Sequence, residues 1–167
     1  MLEKITHIKV ALKAGAYEAA LALALTLPDI CAKVESGKST TSGNDYIAWV
    51  DKYVNFEVLS FCSDTQQAEM NGTLVYALRC AFLHCGNDQI NDQNAGQNLP
   101  HTNFKVMPPD SLGKDILYHY HISAVSTGSQ TIETKVDAVA ICRLLYEAAE
   151  NYYNVYHQKS DFDPYTI

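Results

Sequence analysis

A chain of 167 residues with 47% apolar content can bury one core and is too short for two full domains, so a single domain spanning 1–167 is expected, with no need of disulfides or metal. The formal net charge of −7 excludes a broad basic face that grips nucleic acid through many phosphates, and any RNA contact has to be local. No apolar run approaches the ~20 residues of a membrane span, and the five cysteines, odd in number and without CxxC spacing, read as reduced thiols of a cytoplasmic protein.

In chain order, Leu2, Ile5, Ile8 and Leu12 follow helical spacing, alanine and leucine dominate as far as Leu27, and Pro28 supplies a stop, so one long helix is predicted. The apolar stretch from Ala19 to Leu27 with lysines upstream has the outline of a signal peptide, but Glu18 and the helical phase favour a core helix. Ser36 to Asn44 is a polar loop. Its GKST lacks the first glycine of a phosphate loop, since Ala32 stands there, and no strand precedes it. A second helix follows Asn44, with Ile47, Val50, Val54 and Val58 on one stripe and Trp49 and Tyr53 beside it. Ser63 or Asp64 caps a third helix carrying Leu74, Val75, Leu78 and Phe82, and Gly86 is placed to close it in a left-handed cap.

Asn87 to Asn98 is rich in amides and acids and reads as a solvated loop. Phe104 to Met107 and Ile116 to Val125 alternate as two short strands with a turn at Pro108 to Ser111, which predicts a β-hairpin. From about Ile132 to Tyr156 the chain is expected to be helical, with Ile141, Leu145, Ala148, Tyr152 and Val155 on one seam, and Asp161 to Pro164 is expected to fray. The sum is an all-α fold: an antiparallel four-helix bundle with a small β-hairpin inserted before the last helix.

The stretch that carries chemistry is Tyr76-Ala-Leu-Arg-Cys-Ala-Phe-Leu-His-Cys-Gly-Asn87. Arg79 lies inside an otherwise apolar helix, where burial is costly unless the charge is paired or faces a cleft. His84 follows five residues later. On a regular helix that step turns a side chain by about 140 degrees, so the two groups converge only if the helix end distorts or a second chain completes the site.

Arg79-(x4)-His84, in the local text LRCAFLHCGN, resembles the HEPN superfamily, in particular its defence- and plasmid-associated branch, whose signature is an arginine followed after four to six residues by a histidine near the end of a bundle helix. The resemblance implies a metal-independent endoribonuclease, often a toxin or abortive-infection effector, that acts without a cofactor as a homodimer and leaves 2′,3′-cyclic phosphate ends. It implies an RNA substrate and an antitoxin or nucleotidyltransferase as partner; the lack of a long apolar run adds the expectation of no membrane. Histidine as a residue type suits general base work at cellular pH, so His84 takes the proton of a ribose 2′-hydroxyl, and the planar fork of Arg79 matches a phosphate. One departure is Cys80, where the family often has a polar residue; Asn87 and Asp88 are candidate substrate-binding residues in its place.

Other readings stand beside this one. Arg79 can pair with a carboxylate such as Glu57, Glu69 or Asp51, with His84 as a cation at the helix C-terminus, which leaves a non-catalytic HEPN-like module that binds a partner protein or nucleotide. His119 and His121 are two apart on a predicted strand and can share a metal or a nucleic-acid backbone. Tyr146, Tyr152, Tyr153 and Tyr156 can stack on unpaired bases or serve core and dimer packing.

Overall fold

The structure, a computed structural model, describes residues 1–56, 70–85, 89–90, 102–107, 118–124, 130–155 and 158–165. The single long helix expected from Leu2 to Leu27 is two, α1 (Leu2–Lys13) and α2 (Tyr17–Ala24), and a third, α3 (Leu27–Ser36), begins where it was expected to end. Gly15, at φ 74°, turns the chain between the first two in a conformation that only glycine adopts at low cost. Pro28 is not a stop. It occupies the first turn of α3, where the amide hydrogen that proline lacks is not needed. Gly37, at φ 63°, closes α3 with a left-handed cap, so the glycine of the GKST stretch ends a helix instead of opening a phosphate cradle.

Helix α4 (Gly43–Tyr53) starts from Ser42, whose side chain accepts from the Asp45 amide while the Asp45 carboxylate accepts from the Ser42 amide. Helix α5 (Gly72–Cys80) is capped by Asn71, which accepts from the Leu74 amide at 3.0 Å. The expected caps Ser63 or Asp64 and the closing Gly86 lie outside the described residues. Past Cys80 the backbone widens into a π-helical turn, Ala81–Cys85.

The last helix, α6 (Ala138–Val155), packs against α1, α2 and α3, while α4 bridges α3 and α5. Leu21, Leu25, Leu27, Trp49, Leu78 and Leu145 are sealed at this centre. Each such side chain contributes about 1.5–3 kcal/mol by leaving water. Tyr152 sits edge-on to Trp49 and Tyr53, with ring centroids 5.7 and 5.0 Å away. The tail does not fray: Lys159–Tyr165 forms a 3-10 turn that buries Phe162 against Tyr152 and Tyr153. An aromatic side chain of that size holds a chain end that its polar neighbours alone would leave free.

The all-α four-helix bundle with a hairpin is contradicted. The described residues hold six α-helices and a mixed four-stranded sheet formed by β1 (Gln89–Ile90), β2 (Thr102–Met107), β3 (Tyr118–Ala124) and β4 (Gln130–Asp137), in the order β1-β2-β4-β3. The expected hairpin partners, β2 and β3, do not pair with each other. Strand β4 lies between them, parallel to β2 from Thr102↔Ile132 to Met107↔Asp137 and antiparallel to β3 from Tyr118↔Val136 to Ala124↔Gln130. The helical phase of the sequence assigns its residues from Ile132 on to the last helix, and the structure corrects this. Thr131, Ile132, Thr134 and Val136 are β-branched and stiff, and they favour an extended chain over the helical phase that begins only at Ala138. Asp137 marks the change, since its Oδ1 accepts from the Ala140 amide at 2.8 Å and caps α6. Likewise, Gln89 and Ile90, placed by the sequence in a solvated loop, pair with Asn103 and Thr102.

Candidate active site around Arg79 and His84

Helix α5 turns Leu74, Val75, Ala77 and Leu78 into the core and leaves Arg79 on its flank, with the side chain 20% exposed. Asp29, in the first turn of α3, faces it, and Arg79 Nε donates to Asp29 Oδ2 at 2.9 Å. At the other end of the guanidinium, Nη1 lies 2.8 Å from Nε2 of the exposed His84. A guanidinium only donates, so Nε2 is the acceptor and the neutral ring carries its proton on Nδ1.

The π-helical turn is what makes this contact. Arg79 stands in the last turn of α5 and His84 in the π turn, whose backbone bonds close over five residues instead of four; the chain therefore turns less per residue there, and the offset between the two side chains is smaller than on a regular α-helix. Of the two routes to convergence open in the sequence, distortion of the helix end is the one realised, and both groups come from one chain. A partner chain is not required to bring Arg79 and His84 together.

Two aromatic rings back the arginine. Arg79 Cζ is 5.9 Å from the centre of the Tyr76 ring, and Tyr46 is tilted against Tyr76 at 5.4 Å. Gly43 allows this stacking, because a Cβ there would stand 2.7 Å from the Tyr76 ring. Cys80, the departure from the family pattern, is buried beside Tyr76; burial first, and then Cys80, push the Tyr76 hydroxyl above its ordinary range. Burial also pushes the Asp29 carboxyl upward, against the attraction of Arg79. For Arg79 the balance is reversed: burial opposes its charge most strongly, but the attraction and hydrogen bond of Asp29, joined by Cys80, together raise its pKa.

The sequence therefore named the two reacting candidates and missed their partner. Of the carboxylates proposed for Arg79, Glu57 and Glu69 lie outside the described residues, and Asp51 accepts from the Gly72 amide at 2.6 Å. Asp29 stands 50 positions from Arg79. An acid directly after Leu27-Pro28 marks the first turn of a new helix, a signal hidden by reading Pro28 as a helix end. The candidate substrate residues Asn87 and Asp88 lie outside the described residues.

Away from this site, His119 and His121 fall on β3 opposite Lys135 and Glu133. Tyr152 is 5% exposed and belongs to the internal aromatic cluster, which leaves no face for a base to stack on. Tyr146 carries Lys9 over its ring at 4.8 Å, and Tyr156 lies outside the described residues. Cys31, Cys80 and Cys142 are free and buried. Among the described residues no three or more metal-ligating side chains stand together, and no helix is long and apolar enough to cross a membrane. No family model, curated protein or solved structure matches the chain.

Proposed function

We propose that the chain is a HEPN-type, metal-independent endoribonuclease of a toxin or defence system, with Arg79 and His84 as its reacting pair. The observation that carries this reading is the 2.8 Å contact between Arg79 Nη1 and His84 Nε2. It sets a phosphate-matching fork beside a basic nitrogen on an exposed helix end. A phosphodiester drawn to the guanidinium takes the Nη1 donor onto its own oxygens and frees the Nε2 lone pair beside the adjacent 2′-hydroxyl. Nε2 accepts the hydroxyl proton, the 2′-oxygen bonds to phosphorus, and the bond from phosphorus to the 5′-oxygen breaks. The imidazolium then returns the proton to the departing 5′-oxygen, and a 2′,3′-cyclic phosphate remains. Arg79 stabilises the charge that builds on the phosphate oxygens. A homodimer, an antitoxin or nucleotidyltransferase partner and a cytoplasmic location complete the proposal by family resemblance. In such a dimer each chain brings its own complete pair.

A second reading, a non-catalytic HEPN-like module, is favoured by one observation: Asp29 already neutralises Arg79, as a structural ion pair would. Incubation with single-stranded RNA separates the two. Under the first reading the protein yields cyclic phosphate ends and is indifferent to a chelator. His84→Ala and Arg79→Ala each lower the rate by about 10²–10⁴-fold with unchanged far-UV circular dichroism. A folded parent protein that leaves RNA intact supports the second reading, and loss of cleavage on chelation sinks the metal-free mechanism.

A further inference from the structure

We infer that Asp29 is the positioning residue of this site: its carboxylate, fixed on α3, clamps the Nε edge of Arg79 so that Nη1 meets His84 Nε2 and holds the ring in its Nδ1–H form. The kinetic part of this inference rests on the ribonuclease reading; the positioning part does not.

An arginine side chain has many rotamers, and a hydrogen bond at its far end alone does not choose among them. Asp29 is itself anchored. It follows Pro28, whose backbone is stiff, between the buried Leu27 and Ile30, and its carbonyl accepts from Thr41 Oγ1 at 3.2 Å. The Nε contact fixes the guanidinium from the shoulder, and the Tyr76 ring faces it 5.9 Å away. The free end of the fork then points in one direction, toward the π-helical turn. Asp29 touches the site through Arg79, and so acts on the reacting groups without being one of them. A simple structural ion pair would need no such ordering of His84. The state of the histidine ring therefore tells the two apart.

The experiment reads the His84 ring directly, by long-range proton–nitrogen correlation on ¹⁵N-histidine protein above the ordinary histidine titration range. In the parent the proton is expected on Nδ1, with Nε2 as a hydrogen-bonded acceptor. In Asp29→Asn, folded by circular dichroism, that preference is lost. On a single-stranded RNA oligonucleotide of mixed sequence, the same variant loses about 10- to 100-fold in kcat with a smaller change in KM. An unchanged ring state in the folded variant overturns the inference, whether or not RNA is cut, and so does a parent ring protonated on Nε2. Full parental cleavage despite a lost ring preference overturns it too. A parent that cuts no RNA, yet whose ring responds to Asp29→Asn, keeps the positioning role and removes the nuclease reading. Where Asp29→Asn does not fold, Asp29→Glu keeps the charge and displaces the carboxylate: loss of the ring preference supports the inference, and its retention overturns it.

Discussion

Two helices of this protein carry an aspartate at the third position of the first turn, Asp29 on α3 and Asp45 on α4, and the two are used in opposite ways. Asp45 works locally. It receives the Ser42 amide and hydroxyl and the Lys38 ammonium, all within seven residues of itself. Asp29 leaves the cap of its own helix unfilled, since Thr26 makes no capping bond, and turns to an arginine on another helix. Their side chains are similarly exposed, 27% for Asp29 and 22% for Asp45, so bare exposure does not separate them. What covers them does. Asp45 is covered by its own hydrogen-bond donors on a solvated loop, and Lys38, followed by Ser42, holds its carboxyl well below the usual carboxylate range. Asp29 is covered by packed helices, and burial raises it in spite of Arg79. A first-turn carboxylate that stabilises its own helix is an ordinary cap; one withdrawn from that role to face a distant cation marks a candidate site.

The hardest test of this contrast is to remove the cation. Arg79→Ala leaves the Asp29 carboxylate partly buried without its partner, and should lower unfolding free energy by about 1–2 kcal/mol once solvent screening is allowed for. Adding Asp29→Asn should recover part of that loss in urea titrations. If the double variant is as unstable as the sum of the two singles, the pair does not act as a unit. At α4 the expected effect is local: Ser42→Ala removes the cap and should lower stability by about 1 kcal/mol, leaving the Arg79–His84 contact intact by the ring signal of His84.

The smallest effect is in the pH dependence, where the two aspartates have opposite signs. Asp29 titrates higher in the folded protein than in the unfolded chain, so the folded state binds its proton more readily. Its contribution is most favourable below the ordinary carboxylate range and is lost as pH rises through the raised value. Asp45 titrates lower when folded, so its contribution is present above the ordinary range and is lost as pH falls toward the folded value. Melting curves between about pH 3 and 7 should therefore show Asp45→Asn converging with the parent toward acid. Asp29→Asn should instead gain on the parent as pH rises. The same slope in both variants would mean that the two carboxylates share one kind of environment.

What the sequence disclosed follows the range of the interactions involved. Arg79 and His84 stood out because a cation inside an apolar helix and an imidazole at its end are local anomalies. Helices α4, α5 and α6 were visible as apolar stripes for the same reason, and β2 and β3 by their alternation. Asp29 was hidden because nothing local distinguishes a carboxylate that caps its helix from one that serves a residue 50 positions on. Strand β4 was hidden because Glu133, Lys135 and the helix behind them extend a helical phase backwards across residues whose branching favours a strand. Pairing of β4 with β2 on one side and β3 on the other sides with the branching against the helical phase, and a pairing cannot be read from one segment.

The π-helical turn at Ala81–Cys85 gives the motif spacing a meaning of its own. Four intervening residues put an arginine and a histidine out of phase on an α-helix, and the wider turn that carries the histidine narrows that offset, whereas three would put them nearly in phase on the α-helix. The spacing is thus a backbone specification written in side chains. Shortening the turn by one residue would give His84 an ordinary helical offset from Arg79, and the contact could then form without the distortion. Lengthening it by one would carry the imidazole past the guanidinium with every side chain of the pair still present.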